Sequence, residues 1–204
     1  MKEILSYNSK NTELTPNIER AFPGEEEYIK SGHYKKMLKR YFFAADNFCR
    51  GKKVIESCSG LGWGAYILSK YASQITAFDI NLDVIKFCQK SWKTENIKWL
   101  ICDALKLDEI ENEQYDVAIA METIEHFTME NGKKYIYNLH NKLKTGGYII
   151  GTSSFPRTRK EADNICQKNS SHLYIFTHDE MYNLLAKHFK NYRIIDNWMF
   201  IGEK

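Results

Sequence analysis

The sequence predicts an α/β fold in which a mostly parallel sheet of seven strands is covered by helices on both faces. Strand-like apolar runs alternate with helical stretches, which is typical of parallel sheets. The chain has 204 residues, of which 43% are hydrophobic, so it is long enough to bury a full sheet in one domain. No internal repeat or low-complexity linker divides the pattern.

Five strand-like segments precede a short C-terminal stretch that would close the sheet. The predicted strands are 53–58, 75–79, 97–102, 115–120 and 148–152, and residues 192–201 would supply two more, with a sharp turn near Asn197. Helices are predicted at 64–71, from Leu82, at 130–143 and after Thr177, where Glu180 completes a capping box. Residues 153–177 are predicted to be an irregular polar stretch, suited to an acceptor wall or lid.

The first 50 residues lie outside the predicted sheet. Residues 1–50 are interpreted as a helical lid segment and residues 51–204 as the main domain, within one globular unit. Apolar residues recur at helical spacing from Tyr34 to Phe48, which predicts an amphipathic helix in the lid segment.

Charge and composition argue against several protein classes. The net charge of +3, from 29 basic and 26 acidic residues, is too small to predict a nucleic-acid-binding face. No segment approaches the ~20 apolar residues that span a bilayer, and the N-terminus has no signal-peptide run. The five cysteines are odd in number and form no Cys-x-x-Cys pair, so we expect reduced thiols and a cytoplasmic protein.

The stretch from Val54 to Gly64 predicts a strand, a glycine turn and the start of a helix. Gly60 and Gly62 lack a Cβ, so the backbone can adopt positive φ and approach a ligand closely. Asp79 ends the next strand, and its carboxylate can accept hydrogen bonds from both hydroxyls of a ribose. This unit is therefore predicted to bind a nucleoside.

Two families have such a unit. Gly60, Gly62 and Ala65 fit the dinucleotide pattern G-x-G-x-x-G/A of NAD-binding Rossmann oxidoreductases and flavin enzymes. However, Glu56 precedes Gly60 by four residues, and Glu-x-Cys-x-Gly-x-Gly resembles motif I of the class I S-adenosyl-L-methionine-dependent methyltransferases. Asp103-Ala104 follows the third strand, where that family places a carboxylate near the adenine amino group. We favour the methyltransferase, since a dinucleotide enzyme needs none of these additions.

This resemblance implies a Rossmann-like fold and S-adenosylmethionine as cofactor. It assigns the cofactor contacts to Arg40, Glu56, Cys58, Gly60, Gly62, Asp79, Ile80, Asp103, Ala104 and Met121. Cys58 replaces the first motif glycine, and we expect a buried small side chain there with no redox role. Arg40 stands 20 residues before Gly60. At this spacing the ubiquinone-biosynthesis type of O-methyltransferase has an arginine that pairs with the cofactor carboxylate; the alternative is a solvated surface arginine.

A second motif, Met121-Glu-Thr-Ile-Glu-His, follows the fourth strand, at the sheet edge where ligands bind in open α/β folds. Glu122, Glu125 and His126 would share one face if the segment is helical. Two carboxylates and an imidazole suit a divalent metal, Mg²⁺ or Mn²⁺. The string also resembles the metal site of the ubiquinone-type and small-RNA 3′-terminal 2′-O-methyltransferases, and the latter resemblance implies His172 as a further ligand.

Three interpretations of this motif stay open. The residues hold a metal, or His126 acts without a metal as a general base or only orients the substrate, with Glu122 and Glu125 beside it, or all three are structural. A hydroxyl is a poor nucleophile at neutral pH, and either a base or a metal would activate it. The possible metal and the resemblance to O-methyltransferases together lead us to expect O-methylation of a small-molecule or sugar hydroxyl.

Other functions remain as alternatives. They are an N-methyltransferase, a 2′-O-methyltransferase of an RNA terminus, and a non-enzymatic module that binds a nucleoside or nothing. Weak net charge argues against the RNA substrate, and the intact glycine, aspartate and Glu-His residues argue against the non-enzymatic module. The sequence predicts neither the acceptor nor the oligomeric state.

Overall fold

The computed structural model describes residues 1–8, 21–110 and 114–204, apart from the side chain of Glu109. Within this part of the chain the helices are α1 Lys2–Ser6, α2 Glu26–Ser31, α3 His33–Ala44, α4 Trp63–Ser69, α5 Leu82–Ser91, α6 Met129–Lys142, α7 Arg159–Gln167 and α8 His178–His188. The strands are β1 Lys53–Ser57, β2 Gln74–Asp79, β3 Ile97–Ile101, β4 Tyr115–Met121, β5 Leu143–Thr152, β6 Asn191–Ile195 and β7 Met199–Glu203.

The strands form one seven-stranded sheet in the order β3-β2-β1-β4-β5-β7-β6. β1 pairs with β2, β2 with β3 and β4 with β5 in parallel, whereas β7 runs antiparallel to both β5 and β6. The predicted mostly parallel sheet with helices is therefore confirmed. The chain divides into two compact units, Met1–Ile101 (unit 1) and Cys102–Lys204 (unit 2).

Unit 1 is built on β1 and β2, which are buried over almost their whole length. Buried strands covered on both faces appear in sequence as near-continuous apolar runs, as Val54-Ile55 and Ile75 to Phe78 do. Helix α5 begins where the Asn81 side chain accepts hydrogen bonds from the Asp83 and Val84 amides. This cap fixes the start of α5 directly after β2.

Unit 2 ends in the predicted hairpin. Asp196 and Asn197, in the three-residue loop between β6 and β7, have φ of 49° and 56°, and two successive positive φ values match the twist of antiparallel strands. The Asn197 and Trp198 carbonyls accept hydrogen bonds from the Phe155 and Ser153 amides. The hairpin thus fixes the chain that leaves β5.

Residues 153–177 are not irregular throughout, and that expectation was wrong. Helix α7 forms within them because Thr158 and Glu161 make a complete capping box. The helix predicted at 130–143 ends at Lys142, and β5 begins at once because Leu143 pairs with Tyr115. The glycines at 146 and 147 lie in a bulge of β5, so they do not end the helix as predicted.

The lid segment contains α1 to α3, and α3 continues into a π-helical turn, Ala45–Cys49. The amphipathic helix predicted at 34–48 is therefore confirmed with a π-helical end. Residues 9–20 of the lid segment lie outside the described residues. Among the described helices, none has both the length and the apolar character that a membrane span requires.

Candidate active site

The glycine turn, residues 58–62 of unit 1, joins β1 to α4. Cys58, Gly60 and Gly62 have φ of 51°, 51° and 75°. A Cβ added to Gly60 would meet no atom within 4 Å, so open space adjoins the backbone there. A Cβ at Gly62 would lie 2.6 Å from the Cys88 sulfur, so only glycine fits. The turn thus combines a packed side with an open one, as a ligand-binding backbone requires.

Asp79 holds the glycine turn from the end of β2. Its side chain is only 5% exposed. One carboxylate oxygen accepts a 3.1 Å hydrogen bond from the Gly60 amide, and the other accepts one of 2.9 Å from the Asn81 amide. Each carboxylate oxygen can accept a further hydrogen bond. Asp79 can therefore receive ribose hydroxyls while it keeps the turn in place.

Ile80 follows Asp79, and its side chain is 65% exposed. An exposed apolar side chain beside a buried carboxylate can cover one face of an aromatic ring, because contact with the ring removes apolar surface from water. Ile80 therefore stays a predicted cofactor contact, and its exposed side chain suits the base of a nucleoside bound at Asp79.

Glu56 is a buried acid in the middle of this unit, 1% exposed. Burial raises the pKa of its carboxyl from 4.5 to about 8, while the nearby Tyr41 side chain and the charge of Arg40 act to lower it. Arg40 is half-buried on α3, with its guanidinium 5.9 Å from the Tyr41 ring centroid and 6.0 Å from that of Trp63. Arg40 is thus not a solvated surface residue, and its charge acts on Glu56.

Tyr41 is a site residue that the sequence analysis missed. A Cβ on Gly64 would lie 2.2 to 2.5 Å from atoms of the Tyr41 ring, so the helix start must be glycine for the ring to pack. The ring also contacts that of Trp63 edge to face at 4.8 Å. In the sequence, Gly64, the third glycine of the motif, was the one indication that a large side chain packs against α4.

Cys58 is partly exposed, and all five cysteines are thiols. The expectation of a buried side chain at Cys58 was therefore wrong. The left-handed backbone at Cys58 accounts for the glycine at this position in the family motif, since glycine adopts positive φ without strain.

Asp103 and Ala104 open unit 2 in the turn that follows β3. The Asp103 carboxylate accepts a 2.8 Å hydrogen bond from the Leu105 amide, and the side chain is half-buried. The Ala104 carbonyl accepts a 3.1 Å hydrogen bond from the Asn138 side chain on α6. Helix α6 therefore fixes the turn that presents Asp103.

Met121 ends β4, and Glu122 follows directly. Met121 is 7% exposed and its sulfur accepts from the Thr152 hydroxyl at 3.7 Å. Glu122 has a φ of 48°, and its amide donates to the Thr152 carbonyl at 2.9 Å. Its side chain is exposed. The left-handed backbone at Glu122 reverses the chain before the next turn, so the helix that would align Glu122 with Glu125 and His126 does not form.

Residues Ile124–His126 form a 3-10 turn that contains Glu125 and His126. Three of the four predicted metal-binding residues come together there. Glu125, His126 and His172 each offer a ligand atom, and these atoms lie within 4.8 Å of one another. Glu122 is not a member of this group. We call Glu125, His126 and His172 the Glu-His cluster.

The segment 169–174 closes over the 3-10 turn. The Glu125 carbonyl accepts hydrogen bonds from the Leu173 amide at 2.8 Å and the Tyr174 amide at 3.3 Å. The His126 and His172 rings meet edge to face at 5.3 Å. Backbone hydrogen bonds thus hold His172 against His126 across a gap of 46 positions in sequence.

The tautomer of His126 follows from its partner. Nδ1 lies 3.1 Å from the Ser171 carbonyl oxygen, which can only accept, so Nδ1 carries the hydrogen. In the neutral ring Nε2 then holds a lone pair. A histidine oriented in this way can act as a general base or bind a metal through Nε2.

Comparison with known proteins agrees with this geometry. Residues 55–151 match a family model described as a methyltransferase domain. Residues 55–151 therefore form a methyltransferase domain. No curated protein matches it.

Several solved structures share the fold of this methyltransferase. A methyltransferase from Archaeoglobus fulgidus is 17% identical with a TM-score of 0.66, over 85% of this chain and 94% of that one. The N-methyltransferase NodS from Bradyrhizobium japonicum, in complex with S-adenosylhomocysteine, is 15% identical with a TM-score of 0.60, over 85% of each chain. An O-methyltransferase family protein from Burkholderia thailandensis is 11% identical with a TM-score of 0.68, over 87% of this chain and 57% of that one.

These similarities show the fold, and their names include both N- and O-methyltransferases. The acceptor of this methyltransferase must therefore be argued from its own residues. Unit 1 offers a buried acid, an open glycine backbone and a fixed carboxylate, which suit an adenosyl group with an ammonium and a ribose. Unit 2 offers an oriented imidazole and a carboxylate, which suit the activation of a nucleophile.

Proposed function

We propose that the protein methylates a hydroxyl group of a small molecule or glycan, with His126 as the residue that takes the hydroxyl proton. The Glu-His cluster carries this proposal. The cofactor would supply an electrophilic methyl group, so the protein must position the acceptor and help it to lose a proton. An aliphatic hydroxyl holds its proton strongly at neutral pH, and a base oriented by a backbone carbonyl is suited to remove it.

The cofactor would lie on the residues of unit 1. The open backbone at Gly60 would accept the nucleoside, Asp79 the ribose hydroxyls and Ile80 the adenine ring. Glu56 would face the cofactor ammonium, because a buried carboxyl with a raised pKa gains most from a nearby cation. Arg40 would pair with the cofactor carboxylate, and α3 would act as a lid. In unit 2, Asp103, Ala104 and Met121 are the proposed contacts.

The donor atoms of the Glu-His cluster also fit a divalent metal. Two imidazoles and one carboxylate suit Mn²⁺ better than Mg²⁺, which prefers oxygen ligands. The Ser171 carbonyl that orients His126 is the kind of outer partner that metal-binding histidines have. A cation held there would acidify the acceptor hydroxyl and orient a vicinal diol.

His172 would have to change its hydrogen bond to bind such a cation through Nδ1. Its Nε2 lies 3.0 Å from the Asn169 amide nitrogen, which donates, so Nδ1 carries the hydrogen in the neutral ring. The Asn169 oxygen meanwhile accepts from the Ser171 amide at 3.0 Å. An aspartate at 169 would accept from both groups and leave Nδ1 of His172 with a lone pair. Asn169→Asp should therefore strengthen metal binding.

Cofactor binding is tested by calorimetric titration with S-adenosylhomocysteine and, separately, with NADH. We expect binding of the first compound only. Binding of NADH alone would reverse the cofactor assignment in favour of the dinucleotide alternative.

The base is tested with His126→Asn, which keeps a donor for the Ser171 carbonyl but removes Nε2. Turnover should fall roughly 10²- to 10⁴-fold while S-adenosylhomocysteine affinity is unchanged. The matched control is His33→Asn, which replaces an exposed histidine of unit 1.

The acceptor is sought by a screen with labelled cofactor against sugars, catechols, amines and short RNAs. Methylation of amines alone, with His126→Asn fully active, would contradict the proposal.

The metal is tested by thermal melting with Mn²⁺, Mg²⁺ and EDTA. Mn²⁺ should raise the melting temperature of the wild type and of Glu122→Gln, which lies outside the Glu-His cluster, but not that of Glu125→Gln. Asn169→Asp should show a larger Mn²⁺ effect than the wild type. If no variant responds to metal, the cluster works as a metal-free base.

A further inference from the structure

Helix α5 holds the carbonyl side of the glycine turn. The indole N–H of Trp92, the residue that directly follows α5, donates a 2.7 Å hydrogen bond to the Leu61 carbonyl, and Trp92 is 1% exposed. The Cys88 thiol lies one turn earlier and donates to the Gly60 carbonyl at 3.4 Å. Two successive peptide planes of the turn are therefore oriented by side chains of α5.

These contacts lie opposite Asp79, which holds the Gly60 amide. Burial raises the pKa of the Cys88 thiol well above its usual range, so Cys88 stays a donor. A Cβ on Gly62 would lie 2.6 Å from the Cys88 sulfur and 2.9 Å from Cδ1 of Trp92. The turn thus has little freedom to rotate away from α5.

Trp92 is in turn held by the N-terminal strap, which we define as residues 2–7. The Tyr7 ring lies 4.7 Å from the Trp92 ring, and the Tyr66 ring of α4 stacks on Trp92 at 4.8 Å. The Tyr66 hydroxyl donates to the Glu3 carboxylate of the strap. A chain of contacts therefore runs from α1 through Tyr7 and Tyr66 to Trp92 and the Leu61 carbonyl.

The far side of Tyr7 is packed as well. The Tyr7 ring stacks with that of Phe22 at 5.9 Å and meets Phe87 of α5 edge to face at 6.2 Å. A Cβ on Gly24 would lie 2.3 Å from the Tyr7 carbonyl oxygen, so the chain returns close against the strap. The Tyr7 ring is thus packed on both sides, so a change in the strap must alter the packing around Trp92.

We propose that Trp92 is a positioning residue for the cofactor turn and that the N-terminal strap acts on cofactor affinity through it. The proposal rests on the proposed binding of the cofactor at the glycine turn. The Trp92 hydrogen bond fixes the Leu61–Gly62 peptide, and the strap fixes the Trp92 ring. A preformed turn binds its ligand more tightly because it need not be ordered on binding.

The test is calorimetric titration of S-adenosylhomocysteine into the full chain and its variants. Trp92→Phe keeps a ring but leaves the Leu61 carbonyl without its donor, so the affinity should fall about tenfold. Tyr7→Ala should weaken binding roughly threefold to tenfold. In the double variant the loss should not exceed that of Trp92→Phe alone, since residues that act through one contact are not additive.

A matched control separates positioning from general stability. Ile75→Val truncates a fully buried residue of β2 and should lower the melting temperature without changing the affinity. If Trp92→Phe does not fold, replacement of Trp92 by benzothienylalanine removes only the N–H donor and should give the same tenfold loss of affinity.

The proposal fails if the wild type binds S-adenosylhomocysteine and the Trp92 variants bind it equally well. It also fails if affinity follows melting temperature in every variant, Ile75→Val included, or if the double-variant losses add. If the wild type itself does not bind S-adenosylhomocysteine, the proposed cofactor site is wrong, and this proposal fails with it.

Discussion

Cys58 and Glu122 directly follow β1 and β4, and both lie in the left-handed backbone region, with φ of 51° and 48°. An L-residue costs roughly 1–2 kcal/mol in this conformation, and such strain collects at functional sites. Each follows a strand that leads directly to a proposed site residue, Gly60 after Cys58 and Glu125 after Glu122. At the scale of the residue, therefore, backbone strain marks the two places where the chain reverses to present a ligand-binding group.

Replacement of Cys58 by glycine should stabilise the protein. Glycine removes the strain of the left-handed backbone, offset in part by its greater freedom in the unfolded chain, so we expect a gain of up to about 1 kcal/mol. Cys58→Ala keeps the Cβ and should show no gain. Urea unfolding of the two variants and the wild type measures the difference. Equal stability of the glycine and alanine variants would show that the strain is not significant.

Glu56→Gln should change how stability depends on pH. The pKa of the Glu56 carboxyl is raised from 4.5 in the unfolded chain to about 8 in the folded one. Its contribution is therefore fully present below pH 4.5 and is lost as the pH rises from there to about 8. The glutamine variant cannot ionise, so its advantage over the wild type should grow across this window and level off above it. Urea unfolding at a series of pH values measures this difference, and parallel profiles would contradict the raised pKa.

Local rules of the sequence could predict Gly60, Gly62 and Asp79, because a turn and a strand end place them wherever the sheet forms. They could not predict that Tyr41 and Arg40 act on the Glu56 carboxyl, because this depends on how α3 packs against the rest of unit 1. Glu125 and His126 were proposed from their spacing and His172 from a resemblance, and ligand atoms of these three residues lie within 4.8 Å of one another. The exclusion of Glu122 was not predicted, because it depends on a backbone angle that no residue spacing indicates.

At the scale of the element, Lys204 caps the C-terminus of α6. Its ammonium donates to the His140 carbonyl at 3.0 Å and the Leu143 carbonyl at 2.8 Å. Cations stabilise this end of a helix, where carbonyls lack partners in the helix itself. The cap links β7, which ends at Glu203, to the start of β5.

Lys204→Met should therefore lower the free energy of unfolding by about 1 kcal/mol. Lys190→Met is the matched control, because it removes the same charge from an exposed pair with Glu203 at 3.2 Å. Such surface pairs contribute less than about 1 kcal/mol, so this variant should change little. Thermal and urea unfolding measure both variants. An equal loss in both would show that net charge, and not the cap, stabilises this part of unit 2.

The elements differ in how far the sequence indicates them. The strands of unit 1 were predicted within about two residues because their apolar runs are bounded by turns. Helix α7 was missed, although Thr158 and Glu161 have the spacing of a capping box, since the polar composition around it was given more weight. The true start of β5 was missed because Gly146-Gly147 suits a helix end as well as a bulge.

At the scale of the whole molecule, the proposed chemistry is divided between the two compact units. Unit 1 has the glycine turn, Glu56 and Asp79, whereas unit 2 has Asp103 and the Glu-His cluster. The proposed cofactor-binding residues of unit 1 are held in place mainly by hydrogen bonds of backbone amides to a carboxylate, that of Asp79. The proposed acceptor residues in unit 2 depend on the segment 169–174, which backbone hydrogen bonds hold against the 3-10 turn. Each ligand should therefore protect its own set of backbone amides from hydrogen exchange.

Hydrogen exchange can measure this division. S-adenosylhomocysteine should slow amide exchange mainly at residues 58–62 and 79–81, because a ligand that binds only the folded state stabilises the segments it contacts. Mn²⁺ should instead slow exchange at 125–126 and 169–174, and Glu125→Gln should remove that effect alone. At a hundredfold excess over its dissociation constant, S-adenosylhomocysteine should add about 2.7 kcal/mol of stability. Protection by Mn²⁺ confined to unit 1, or protection by S-adenosylhomocysteine that spares the glycine turn, would contradict the assignment of the two ligands to these residues.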